Sequence, residues 1–170
     1  MKKLVSLFIS AVLVMACQEN ESKSDNDFTG NESSYALLAG STYPVSGMVF
    51  FKEKTDGTTL IRVELSGTEG EIQHPVHLHL GDISTAGADV TALLNPVIGK
   101  TGVSETLLTK LSDESAVSYS QLIGLVACIK VHLSDAGPEK DIILAGGNIG
   151  KAAADGPANG RVSIGVCKSE

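Results

Sequence analysis

The stretch HPVHLHLGD, His74 to Asp82, holds three of the four histidines of the chain. Gln73 to Leu80 is expected to form a strand. Residues i and i+2 of a strand face the same side, so His77 and His79 project together with Cα atoms about 7 Å apart. Both imidazoles can then reach one ion at about 2 Å. His74 has the opposite parity, and Pro75 is placed to bend the strand or shift that parity. His132 lies in IKVHLSD, a second strand ending in a turn. If the two strands pair, His132 completes a three-imidazole set. Imidazole-only sites suit copper or zinc rather than calcium or magnesium. Taken alone, an exposed H-x-H pair is more often a plain surface feature.

Outward from this stretch, the chain reads as β. Val45 to Glu53 and Thr59 to Ser66 alternate as strands around the turn Lys54-Thr55-Asp56-Gly57. In the second, Ile61, Val63 and Leu65 form an apolar face against a mostly polar Leu60, Arg62 and Glu64. Leu125 to Leu133 and Arg161 to Cys167 are further strands, and Ile142 to Leu144 is a short one. Gly87 to Gly102 and Ala145 to Gly160 are expected as small-residue loops. Asp89 to Leu94 and Ser118 to Leu122 are each expected as one helical turn. Many short strands broken by turns indicate an all-β sandwich or flattened barrel. Gly146 to Lys151 is one residue short of a P-loop and has no serine or threonine after the lysine, so it is read as a loop.

The ends of the chain carry a different message. Met1 to Cys17 has two lysines, an apolar run too short to span a bilayer, and a cysteine. Val14-Met15-Ala16-Cys17 resembles the lipobox of bacterial lipoproteins, which implies that residues 1–17 are a signal peptide and that Cys17 carries an acyl anchor in the membrane. Gln18 after that cysteine implies the outer membrane by the same resemblance. Gln18 to Ser34 is polar and acidic and is expected to be a flexible tether. Residues 35–170 suit one domain. The net charge of −7 excludes nucleic-acid binding through phosphate neutralisation. No G-x-S-x-G is present, and the adjacent Asp113 and Glu114 read as solvated surface rather than an acid/base couple.

The run VSGMVFFKEKTDGTTLIRVELSGTEGEIQHPVHLHLGD resembles the first half of the copper-zinc superoxide dismutase domain, in which two strands lead into H-G-F-H-V-H-x-F-G-D. His74, His77, His79, Gly81 and Asp82 fall on matching positions. SYSQLIGLVACIKVHLSDAG resembles the family stretch ending V-V-H, which places His132 on a copper ligand. ANGRVSIGV resembles the closing N-A-G-S-R-L-A-C-G-V, which places Arg161 on the arginine that guides the anionic substrate. The resemblance implies a Greek-key β-sandwich or flattened barrel of superoxide-dismutase-like type.

The departures define the expected function. The family uses a histidine bridging copper and zinc, then two zinc histidines and an aspartate, yet no histidine lies between His79 and His132. The span Ile83 to Ser118 is also shorter than the family's zinc loop. Zinc is therefore not expected. By the resemblance, His77, His79 and His132 would hold Cu(I) in a trigonal arrangement, with His74 as a supporting residue or substitute ligand; without a fourth nitrogen Cu(II) would be poorly held. The expectation is an envelope lipoprotein whose copper-binding module has weak or no dismutase activity. The chordin-type (CHRD) domain also has an H-x-H strand and a later V-H strand, and it implies a non-catalytic interaction domain instead. An active dismutase with a further ligand is the third alternative.

Secretion would place Cys128 and Cys167 in an oxidising compartment, where an even pair is expected to bridge. If the strands holding them are antiparallel neighbours, as the resemblance implies, the two come opposite each other within register slack. The bridge would close a loop of about forty residues, worth roughly 3–4 kcal/mol on the chain-entropy model. The family's own disulfide lies elsewhere, and Ile164 takes the position of its C-terminal cysteine.

Overall fold

Alternating apolar residues and glycine-marked turns cut the chain into strands, all of which pair antiparallel in the computed structural model, which describes residues 27–154 and 164–165. They are β1 (Phe28–Ala39), β2 (Ser46–Lys54), β3 (Thr59–Ser66), β4 (Gln73–Leu80), β5 (Val90–Ile98), β6 (Val103–Leu108), β7 (Val126–His132) and β8 (Ile143–Ile149). The order around the closed barrel is β1-β2-β3-β6-β5-β4-β7-β8. β4, β5 and β6 form a meander, with β3 returning beside β6 and β7 beside β4, which is Greek-key wiring. The expected all-β flattened barrel is therefore the architecture found.

In β3, Thr59, Ile61, Val63 and Leu65 are buried and Leu60, Arg62 and Glu64 are half-buried, as the alternation required. The same parity sends Val76 and Leu78 of β4 and Ala127, Ile129 and Val131 of β7 into one barrel core. A short helix α1 (Tyr119–Ile123) adds Tyr119 and Leu122 to that core. Ser118 caps it, its hydroxyl accepting from the Gln121 amide while the Gln121 side chain accepts from the Ser118 amide. The helical turn expected at Ser118 to Leu122 is this element.

Several expected boundaries are corrected. The loop placed at 87–102, with its helical turn at Asp89 to Leu94, contains β5. Asn95 and Pro96 disguised it: Pro lacks a donor and interrupts a strand pattern. They sit with Pro75 where the β4–β5 register shifts between His74 and Val76, and the extra residue is absorbed there as a bulge. Pro75 thus marks a register shift, and His74 keeps the inward parity of Val76 and Leu78. The loop placed at 145–160 holds most of β8 and α2 (Gly150–Ala154) as far as it is described. The tether expected at 18–34 is strand from Phe28 onward, where β1 pairs with β2. Its polar residues misled because they point to solvent while Leu37 is fully buried. β1 also closes the barrel through Leu38 and Ala39, opposite Gly146 and Ala145 of β8.

Candidate metal centre

β4 and β7 pair with an unbroken register from Val76 opposite Val131 to Leu80 opposite Ala127. With Ile129 and Val131 in the core, Cys128, Lys130 and His132 must face outward, as must His77 and His79 of β4. His77 stands opposite Lys130 and His79 opposite Cys128. His132 lies one diagonal step from His77, within reach of an imidazole. The three rings gather accordingly: centroids are 4.6 Å apart for His77 and His132, 5.8 Å for His77 and His79, and 6.5 Å for His79 and His132. Irregularities at Leu78/His79 on the β5 side and at Val131/His132 on the β8 side fall beside two of these histidines. Bulges at such places re-aim side chains.

This outer face is not solvated. His79 is 1% exposed, His132 4% and Lys130 0%, whereas His77 is half-buried. Ile83, on the connection between β4 and β5, and the Ile164–Gly165 segment cover it. The Gly165 amide donates to the Ile83 carbonyl at 2.8 Å, and Lys130 Nζ donates to the Gly165 carbonyl at 2.7 Å. Asp82 anchors the connection: its carboxylate accepts from the Ser84 amide at 2.8 Å and from Asn148 Nδ2 of β8, while Asn148 Oδ1 accepts from the Ile83 amide at 2.7 Å. That is the structural role of Asp82 after the histidines.

Loop carbonyls orient the imidazoles. His79 Nδ1 lies 2.9 Å from the Ala88 carbonyl oxygen. His132 Nδ1 lies 2.8 Å from that of Lys140, in the 3₁₀ turn Gly137–Asp141. A carbonyl only accepts, so in each ring Nδ1 carries the proton and Nε2 keeps its lone pair. This is how metal-ligating histidines are commonly fixed. His77 has no ring hydrogen bond among the described residues. Its potential ligand atom and those of His79 and His132 all lie within 4.8 Å of one another, and the cluster could hold a metal ion. Three nitrogens around an ion at about 2.0 Å stand roughly 3.5 Å apart, so small side-chain rotations close the site.

Electrostatics keep the rings neutral. Burial pushes His77 down to about 4, helped by His132 and His79. His79 is lowered by burial first, against the raising effect of the Ala88 carbonyl, and further by Lys130 and His132. His132 is lowered by burial first, against the Lys140 carbonyl, and then by Lys130, while Asp141 opposes the shift. Neutral imidazole is the ligating form.

His74 is not a fourth member. It is 4% exposed, faces inward, and its Nδ1 lies 3.1 Å from the Leu133 carbonyl oxygen. It supports the backbone next to His132 instead of replacing a ligand. Among the described residues, His77, His79 and His132 are the one group of at least three His, Cys, Asp or Glu placed to hold an ion. Asp113 accepts from the Ser115 amide and hydroxyl in an exposed turn, and Glu114 pairs with Lys110, so neither forms an acid/base couple. Cys17, Arg161 and Cys167 lie outside the described residues.

The strand-register ground for a Cys128–Cys167 bridge is corrected. Both edges of β7 are occupied, by β4 and by β8, with Cys128 opposite His79 and Asn148. No further strand can pair with β7. Gly165 instead crosses the outer face of β7, where the Lys130 side chain reaches it.

Sequence reasoning missed the Ala88 and Lys140 carbonyls and the place of Lys130 in the centre. Carbonyls leave no trace in residue identity, whereas a lysine on an otherwise apolar strand, two residues before His132, was a readable signal. Among the described residues no helix is long and apolar enough to cross a membrane. The chain matches no protein-family model, no curated protein and no solved structure.

Proposed function

We propose that this chain is a copper-binding module of the bacterial envelope, superoxide-dismutase-like in type, anchored to the outer membrane through an acylated Cys17. The observation that carries the reading is the convergence of His77, His79 and His132, two of them clamped at Nδ1 by loop carbonyls. A neutral three-imidazole set suits trigonal Cu(I). Dismutase activity is weak or absent, because the sequence offers no bridging histidine between His79 and His132. In this reading Arg161 would only attract an anion towards the centre.

A second reading, a non-catalytic CHRD-like interaction domain, is favoured by one observation: His74, His79 and His132 each already bond a loop carbonyl. His77 separates the two. It has no such bond among the described residues and is half-buried, so a purely structural role gives it little to do. Metal analysis of gently purified protein should find about one equivalent of copper, lost in the His77→Ala/His79→Ala double variant. The single variant His77→Ala should lose copper while keeping stability within about 1 kcal/mol of wild type. Equal copper in wild type and double variant would overturn the metal reading. Diffusion-limited dismutase turnover of copper-loaded protein would overturn the assignment of weak activity.

A further inference from the structure

Lys130 is a charged side chain on the outer face of β7 with no exposure at all. Among the described residues its one hydrogen bond goes to the Gly165 carbonyl at 2.7 Å, of the three an ammonium can donate. Among the described residues it forms no ion pair; the ion pairs found are all on other lysines and on Arg62. Burying an unpaired charge is costly and calls for a reason. Its surroundings suggest one. Lys130 stands directly opposite His77 on the β4–β7 ladder and shares a strand face with His132 two residues away. Its charge is felt at His79 and His132.

We infer that Lys130 sets the charge preference of the centre, favouring a monovalent copper ion at His77, His79 and His132 over any divalent ion. The inference rests on the proposed copper site and adds the residue that sets its preference for Cu(I). Three neutral imidazoles bring no negative charge, so nothing in the ligand set offsets a second positive charge on the ion. Neighbouring and diagonal side chains of paired strands lie within about 8 Å. At that distance and an effective dielectric of about 20, one extra unit charge changes a binding ratio at least about tenfold. Without this lysine, three imidazoles would accept zinc readily. The Gly165 carbonyl keeps the ammonium from turning away, which makes the covering segment part of the device.

The test is competitive titration of the full chain with Cu(I), Cu(II) and Zn(II), together with the copper reduction potential. Wild-type protein should hold Cu(I) well above Zn(II). K130M should raise Cu(II) and Zn(II) affinity relative to Cu(I) at least about tenfold, lowering the potential by about 59 mV per tenfold. K130R, which keeps the charge, should keep the wild-type ratio. A folded K130M with an unchanged ratio, or one that weakens all three ions alike, would overturn the inference while leaving the copper site standing. Wild-type protein that holds Zn(II) as tightly as Cu(I) overturns it without any variant. Wild-type protein that binds no copper in either state overturns it together with the proposed function.

Discussion

The Nδ1 of His74 sits 3.1 Å from the carbonyl oxygen of Leu133, tying the inward face of β4 to the residue that follows His132. The imidazole is 4% exposed, so the carbonyl has little water to turn to if the ring is removed. Replacing His74 by Leu should cost about 1–3 kcal/mol in stability. It should also weaken copper binding about 10–100-fold, the usual effect of losing a group that orients a ligand. His74→Gln, which can still donate, should recover much of both. Urea unfolding and copper competition read the two effects; a His74→Leu variant with wild-type copper affinity would show that Leu133 does not govern His132.

Stability of the metal-free protein should depend on pH in a defined window. Burial holds His77 at about 4 and lowers His79 and His132 as well. In the unfolded chain the same imidazoles titrate near 6.5. Between about 6.5 and about 4 the unfolded chain therefore binds more protons than the folded one, so stability falls as the pH falls through that range and is level above it. Urea midpoints between neutral pH and about pH 4.5 check this, and His77→Ala should flatten the fall. A midpoint that stays constant or rises on acidification would contradict the burial of the rings.

Barrel closure depends on Gly147 of β8. A Cβ at that position would lie 2.0 Å from the Ala36 carbonyl oxygen of β1, an overlap with backbone that no rotamer relieves. Gly147→Ala should force β1 and β8 apart and cost more than about 3 kcal/mol, among the large effects for one substitution. Proteolysis should then cut first within β1. A variant as stable as wild type would mean that β1 does not seal the barrel.

The barrel and its centre differ in how far the sequence exposes them. Ile61, Val63 and Leu65 announce β3 because one of its faces is buried and the other wet. His77, His79 and His132 are legible because parity alone places them together once β4 and β7 pair. β5 was hidden by Asn95 and Pro96, which accommodate a bulge that no local pattern foretells. β1 was hidden because residues such as Asn31, Glu32 and Ser34 face solvent, and a closing strand with few buried side chains has the composition of a tether. The burial of Lys130 on the outer face of β7 comes from distant segments around Ile83 and Gly165, which no local strand pattern contains.

X-ray absorption at the copper edge of protein loaded with Cu(I) reaches the centre most directly. Three nitrogen scatterers at about 2.0 Å, without sulfur, and loss of that shell in His77→Ala/His79→Ala are expected if His77, His79 and His132 hold the ion. A sulfur shell, or an unchanged spectrum in the double variant, would contradict it.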